Sequence, residues 1–115
     1  MGIEYFKNEK QYSLVTALLL SLQRALLCEV TPNLRMVGLE WDDQGKKVFI
    51  TFYYDGEITD AELDSASCVA GEVYGDFGED TQVIEKCVRL DYPARLPFHT
   101  QSVYHRKEKP PDDEQ

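Results

Sequence analysis

Apolar positions recur along this chain in two periods. Across residues 9–29, Val15, Leu18, Leu19, Leu22, Ala25 and Leu26 follow the three-and-four spacing of a buried helix face. Leu14, Leu20 and Leu27 widen that face. A helix this apolar is expected to be covered on more than one side, by a sheet and by a second helix or another subunit. Pro32 marks its end. The period then changes to two. Val37, Leu39 and Trp41 share one face of a strand over Leu34–Trp41, and Asp42-Asp43-Gln44-Gly45 reads as a hairpin turn. Lys47–Tyr54 is the strongest strand: Val48, Ile50, Phe52 and Tyr54 line one face, and Phe49, Thr51 and Tyr53 the other. Two partly apolar faces predict a central strand whose second face is partly open.

The helical period returns after Asp55-Gly56. Thr59 and Glu62 stand at capping-box spacing ahead of a helix over residues 60–77. Leu63, Ala66, Ala70, Val73 and Phe77 give it a 3-4 stripe, and Gly78 is the expected C-cap. Residues 81–90 read as a third strand, with Ile84, Val88 and Leu90 on one side. Pro93 and Pro97 make residues 91–97 a loop, and residues 101–106 form a short fourth strand. The order α-β-β-α-β-β predicts an α+β fold: an antiparallel four-stranded sheet with two helices packed on one face. Residues 1–108 are expected to form a single domain and residues 109–115 a mobile tail, since 115 residues suit one core.

Charge changes the picture most. Residues 55–80 hold nine acids and no Lys or Arg: Asp55, Glu57, Asp60, Glu62, Asp64, Glu72, Asp76, Glu79 and Asp80. The rest of the chain holds 12 acids and 12 basic residues, so the net −9 resides in that one stretch. The helix dipole favours Asp60 and Glu62 in the first turn, but it disfavours acids near the C-terminal end. A solvated helix face that keeps the protein soluble is the plain reading. The functional reading is an acidic docking surface for a basic protein, in which Asp55, Glu57, Asp60, Glu62, Asp64, Glu72 and Asp76 form the charge, with Tyr53 and Tyr74 as anchors. Reversal of Glu62, Asp64, Glu72 and Asp76 to Lys is expected to leave the fold intact and abolish binding. The acidic balance argues against direct contact with nucleic acid or an anionic membrane.

Little else points to chemistry. His99 and His105 have no partner at a metal-ligand spacing, and Cys28, Cys68 and Cys87 form neither a disulfide framework nor a metal motif. Reduced, mostly buried thiols in a cytosolic protein are expected. Residues 1–9 carry no secretory pattern, and the apolar run at 14–22 is too short to span a bilayer. Phosphate-binding and nucleophile-elbow motifs are missing, which argues against an enzyme and implies no cofactor.

Several phrases occur together: Leu34-Arg35-x-Val37 before Trp41-Asp42, then Tyr53-Tyr54-Asp55-Gly56-Glu57-Ile58, Glu72-Val73 and Asp76-Phe77. Arg89-Leu90-Asp91-Tyr92-Pro93 and Val103-Tyr104-x-Arg106-Lys107-Glu108 follow. Over residues 12–108 the chain resembles small bacterial immunity proteins of contact-dependent growth inhibition and related polymorphic toxin systems. The resemblance implies a non-enzymatic cytoplasmic protein that binds and neutralises a cognate toxin domain, often a basic nuclease. It also implies that the repeated phrases set the fold, with Arg89-Leu90-Asp91-Tyr92-Pro93 at a strand end and Asp55-Gly56-Glu57 ahead of the helix. The alternative is a self-associating adaptor, suggested by the apolar first helix and compatible with a homodimer. A small enzyme or ligand binder with a pocket between sheet and helices is a third class.

Overall fold

The computed structural model describes residues 9–42 and 46–109. The expected turn at 42–45 falls mostly outside these residues, as do the N-terminal stretch before residue 9 and all of the expected tail except Lys109. In chain order the elements are α1 (Glu9–Ala25), β1 (Leu34–Trp41), β2 (Lys47–Tyr54), α2 (Asp60–Phe77), β3 (Gln82–Arg89) and β4 (Gln101–His105). The α-β-β-α-β-β order holds. Among the described residues no helix is long and apolar enough to cross a membrane.

The four strands form one sheet in the order β3-β2-β1-β4, which makes β2 a central strand as its composition predicted. The sheet is mixed, and this corrects the antiparallel expectation. β1 pairs antiparallel with both β2 and β4, but β2 and β3 run parallel, with Lys47 opposite Gln82 and Tyr54 opposite Arg89. The reason is the connection. α2 has 18 residues, and at a rise of about 1.5 Å each it carries the chain back along the full length of an eight-residue strand. The chain therefore enters β3 at the end where β2 began. An antiparallel neighbour needs only a short turn; a helix of this length makes a crossover.

Both helices pack on one face of the sheet. Leu18, Leu22, Ala25 and Leu26 of the α1 region, Ala66, Val69 and Val73 of α2, and Val37, Leu39, Val48, Ile50, Phe52 and Tyr54 of the sheet form the core. Two predicted faces are rotated. α1 ends at Ala25, short of the expected residue 29, and Cys28 takes a positive φ of 70° in the turn beyond it. Leu20 and Leu27 do not join the buried face but stand 62% and 68% exposed. In α2 the buried face takes in Glu62 and Val69 and leaves Leu63 outside, because the helix leans on α1 on one flank and on β3 on the other. In β3, Val83 and Cys87 pack toward the helices, while Ile84 and Val88 face the opposite side. Cys28 and Cys68 are exposed and only Cys87 is partly covered, so the thiols are not mostly buried.

The capping box forms as the sequence predicts. The Glu62 N–H donates to the Thr59 hydroxyl at 3.2 Å, and the Thr59 N–H donates to the Glu62 carboxylate at 3.1 Å. Gly78 closes the helix at a φ of 81°, its N–H donating to the Tyr74 carbonyl.

Candidate functional site

The nine residues predicted as a docking surface divide into three groups. Glu57, Asp60, Asp64 and Glu72 are exposed, as is Tyr74. Asp60 and Asp64 occupy the outer face of α2, and Glu72 flanks it on the side of α1. Glu79 and Asp80, just past the helix, are exposed as well. Among the described residues, none of these six acids takes part in an ion pair. Asp60, Asp64 and Glu72 spread along the exposed sides of α2, whereas Glu79 and Asp80 border the start of β3 beside Lys46 and Lys47.

The second group holds the fold together. Glu62 is only 4% exposed. Besides closing the capping box, its carboxylate accepts a hydrogen bond from the Thr31 hydroxyl at 3.0 Å, tying α2 to the turn before β1. Asp76 pairs with Arg24 and accepts from the Ser21 hydroxyl, which joins the C-terminal end of α2 to α1. The Ser21 hydrogen bond, helped by the Arg24 charge, holds the Asp76 carboxyl below the usual carboxylate range. Asp55 pairs with Arg106 at 3.1 Å and accepts from the Tyr92 N–H at 3.2 Å. Glu62 and Asp76 were expected to tolerate reversal to Lys with the fold intact. Each carboxylate bridges two elements, which argues against that tolerance.

Tyr53 stands apart from both groups. It alternates with Phe52 and Tyr54, so its side chain lies on the sheet face away from α2, and it is buried. Its hydroxyl meets His99 Nε2 at 2.6 Å, and His99 Nδ1 meets Glu40 at 3.0 Å. Burial, and then the Glu40 charge, push the Tyr53 phenol up, so it remains a proton donor rather than a nucleophile. With a neutral imidazole, Tyr53 donates to Nε2 and Nδ1–H donates to Glu40. The His99 ring lies across Gly38, where a Cβ would sit 2.5 Å from its Cγ. This trio pins the segment between β3 and β4 onto the sheet. Neither Glu40 nor His99 was singled out from the sequence for this role. The available signal was Gly38, a glycine inside a strand, which marks a close approach.

A second polar cluster lies at the strand ends. The pairing of β1 with β2 shifts between Leu34 and Met36. That bulge leaves Arg35 as the extra residue and re-aims its side chain. The buried Arg35 guanidinium donates to Glu108 at 2.8 and 2.9 Å, to the Leu90 carbonyl at 2.6 Å and to the Ala94 carbonyl at 2.9 Å. It also sits 5.6 Å from the centre of the Tyr92 ring. Arg106 adds bonds to Glu108 and to the Pro32 carbonyl, and Asp91 accepts from the Gly56 N–H at 2.7 Å and from Arg89. Arg35, Asp55, Arg89, Asp91, Tyr92, Arg106 and Glu108, all from the phrases that carry the resemblance, are used here. They clasp the ends of β1, β2, β3 and β4 together, a structural role.

The arrangement suits binding rather than turnover. Its exposed acids are spread over a convex helix, while its buried titratable groups satisfy one another. A comparison with curated proteins found no match. A family model described as MafI2 immunity protein matches residues 15–108.

Proposed function

This chain belongs to the MafI2 immunity protein family, a family of immunity proteins and not of enzymes, and from that premise we propose that it neutralises its cognate toxin in the cytoplasm through the acidic face of α2. The observation that carries the proposal is the patch formed by Glu57, Asp60, Asp64 and Glu72, with Glu79 and Asp80 beside it, in a stretch without a single basic residue. Tyr74, exposed on the same helix, supplies an aromatic contact at its margin. The partner that fits is a basic toxin domain, of the kind a nuclease presents to its phosphate substrate, delivered by a contact-dependent or related polymorphic system. Such a field raises the association rate by about 10- to 1,000-fold at low salt. Asp55, Glu62 and Asp76 contribute by holding the helix in place, and Tyr53 by ordering the opposite face.

The test is co-expression with the C-terminal domain of the protein encoded immediately upstream. Rescue of growth together with a co-purifying complex is the expected result. The quadruple variant Glu57→Lys, Asp60→Lys, Asp64→Lys and Glu72→Lys is expected to fold and to lose the salt-dependent part of its association rate. A complex that forms at the same rate with this variant rules out the acidic surface, though not the immunity role.

Leu20, Leu27 and Val30, exposed along and just beyond α1, favour self-association as the second reading. A homodimer through α1 would cover them and leave the acidic helix free. Sedimentation at micromolar concentration separates the two readings, a strict monomer counting against the dimer.

A further inference from the structure

β3 is an edge strand, and its outer rim is open. The Gln82 N–H donates inward to Lys46 and the Leu90 N–H inward to Tyr54. In a parallel pair, alternate residues turn both backbone groups to the same neighbour. Residues 82, 84, 86, 88 and 90 therefore bond to β2, while Val83, Glu85, Cys87 and Arg89 direct their N–H and C=O groups outward. Among the described residues these outward groups meet no partner, because the sheet ends at β3.

The rim has apolar shoulders on both sides. On the helix side, Ser67 bonds to Glu85 at 2.6 Å, which shows that this flank of α2 overlooks β3. Leu63 and Tyr74 share the flank by helical spacing and stand 45% and 47% exposed. An open groove of about 520 Å³ runs between Tyr74 and the start of β3 at Gln82 and Val83. On the other side of the sheet, Ile84 lies beside the exposed Phe49 and Val88 beside Tyr53.

We propose that the β3 edge receives an extended strand of the cognate toxin, with the toxin's alternate side chains seated on Leu63 and Tyr74 on one face and on Ile84 and Val88 on the other. An extended backbone is the group that offers donors and acceptors at the spacing of this rim. Charge selects the toxin over a second copy. Glu79 and Asp80 line the groove on the helix side and Lys46 and Lys47 on the sheet side, and with Asp60 and Asp64 on the outer face of α2 the helix side matches a basic partner. A second copy would bring its own acidic helix alongside, and its central antiparallel registers set Glu85 against Glu85 or Lys86 against Lys86, where like charges directly opposite are destabilising. This proposal rests on the immunity reading and adds to it the way the toxin is held.

The test uses the full chain with the C-terminal domain encoded immediately upstream, made inactive by substitution, and follows amide exchange residue by residue. In the free chain the amides of Ile84, Lys86 and Val88 are expected to exchange slowly and those of Val83, Glu85, Cys87 and Arg89 fast. In the complex the latter four are expected to slow by about 100-fold or more, giving protection along the whole strand. Glu85→Pro removes one outward donor and no sheet bond, and with it the Ser67 contact that Glu85→Ala removes alone; the Pro variant should weaken the complex by about 100-fold relative to the Ala variant. Leu63→Ser with Tyr74→Ser should weaken it as well without touching the backbone. A complex in which the four amides still exchange fast overturns the strand proposal while leaving the immunity role standing. Failure of the two proteins to associate overturns both.

Discussion

Arg35 and Glu108 are 73 positions apart in sequence, and their side chains meet through two hydrogen bonds of 2.8 and 2.9 Å. Arg35 is 2% exposed, and the same guanidinium serves two backbone carbonyls. Removing it leaves the carbonyls of Leu90 and Ala94 without their donor and the Glu108 carboxylate with Arg106 alone. Arg35→Met is therefore expected to cost about 1–3 kcal/mol, the range for leaving buried acceptors unsatisfied. Urea denaturation at pH 7 measures it, and a loss below about 1 kcal/mol would show that the clasp is dispensable.

The same pair sets an acid limb. The Arg35 hydrogen bond, more than burial opposes it, holds the Glu108 carboxyl below the ordinary glutamate range. A carboxylate with a lower pKa folded than unfolded stabilises the fold above the unfolded value, about 4.3. That stabilisation is lost as pH falls through the folded value. Asp91, held down chiefly by Arg89, shifts in the same direction. The urea midpoint should be flat from pH 7 to pH 5 and then fall. Glu108→Gln should start lower at pH 7 and fall less steeply; an equal slope in the two proteins would assign the acid limb to other groups.

Two glycine substitutions should act in opposite directions. Gly38→Ala sets a Cβ 2.5 Å from the His99 ring and must displace it. Overpacking of this kind costs about 1–3 kcal/mol. Gly71 is helical and its Cβ would meet nothing within 4 Å, so Gly71→Ala should stabilise by about 0.4–1 kcal/mol. Thermal melts of the two variants against the parent decide the signs.

The acids of α2 should separate by role. Glu62→Ala leaves the Thr59 N–H and the Thr31 hydroxyl without their acceptor, and is expected to cost about 1–3 kcal/mol. Thr59→Ala, which removes the other half of the box, should cost about 1 kcal/mol. Asp64→Ala should change stability by less than about 0.5 kcal/mol. Equal losses for Glu62 and Asp64 would dissolve the division between structural and surface acids.

Local periodicity made most of the elements legible. β1, β2 and α2 run over the residues predicted for them, because each has a clear period and a strong stop signal such as Thr59 or Gly78. The direction of β3 was not legible from its own residues. It follows from the length of α2, a relation between elements rather than a pattern within one. The candidate site was half legible. A run of acids shows in any count, but Glu62 and Asp64 look alike in sequence, and only the direction of the helix face makes one a brace and the other a surface charge. His99 and Glu40 come together through a loop that crosses the sheet, and spacing carries no trace of that. Arg35 is re-aimed by a bulge that no alternation predicts.

Charge placement in the two layers has one more consequence. The helix layer and the turn before it show Glu57, Asp60, Asp64 and Glu72 to solvent, while the sheet face away from the helices shows Lys47 and Lys86. Among these described residues, opposite signs on opposite sides set a dipole across the two layers. In the field of a basic body it experiences a torque that turns its helices forward. The field fades over about 8 Å at physiological salt, so the turning takes place in the last steps of approach. For the basic partner proposed above, an approach begun sheet-first is expected to be turned toward helix-first before side chains touch.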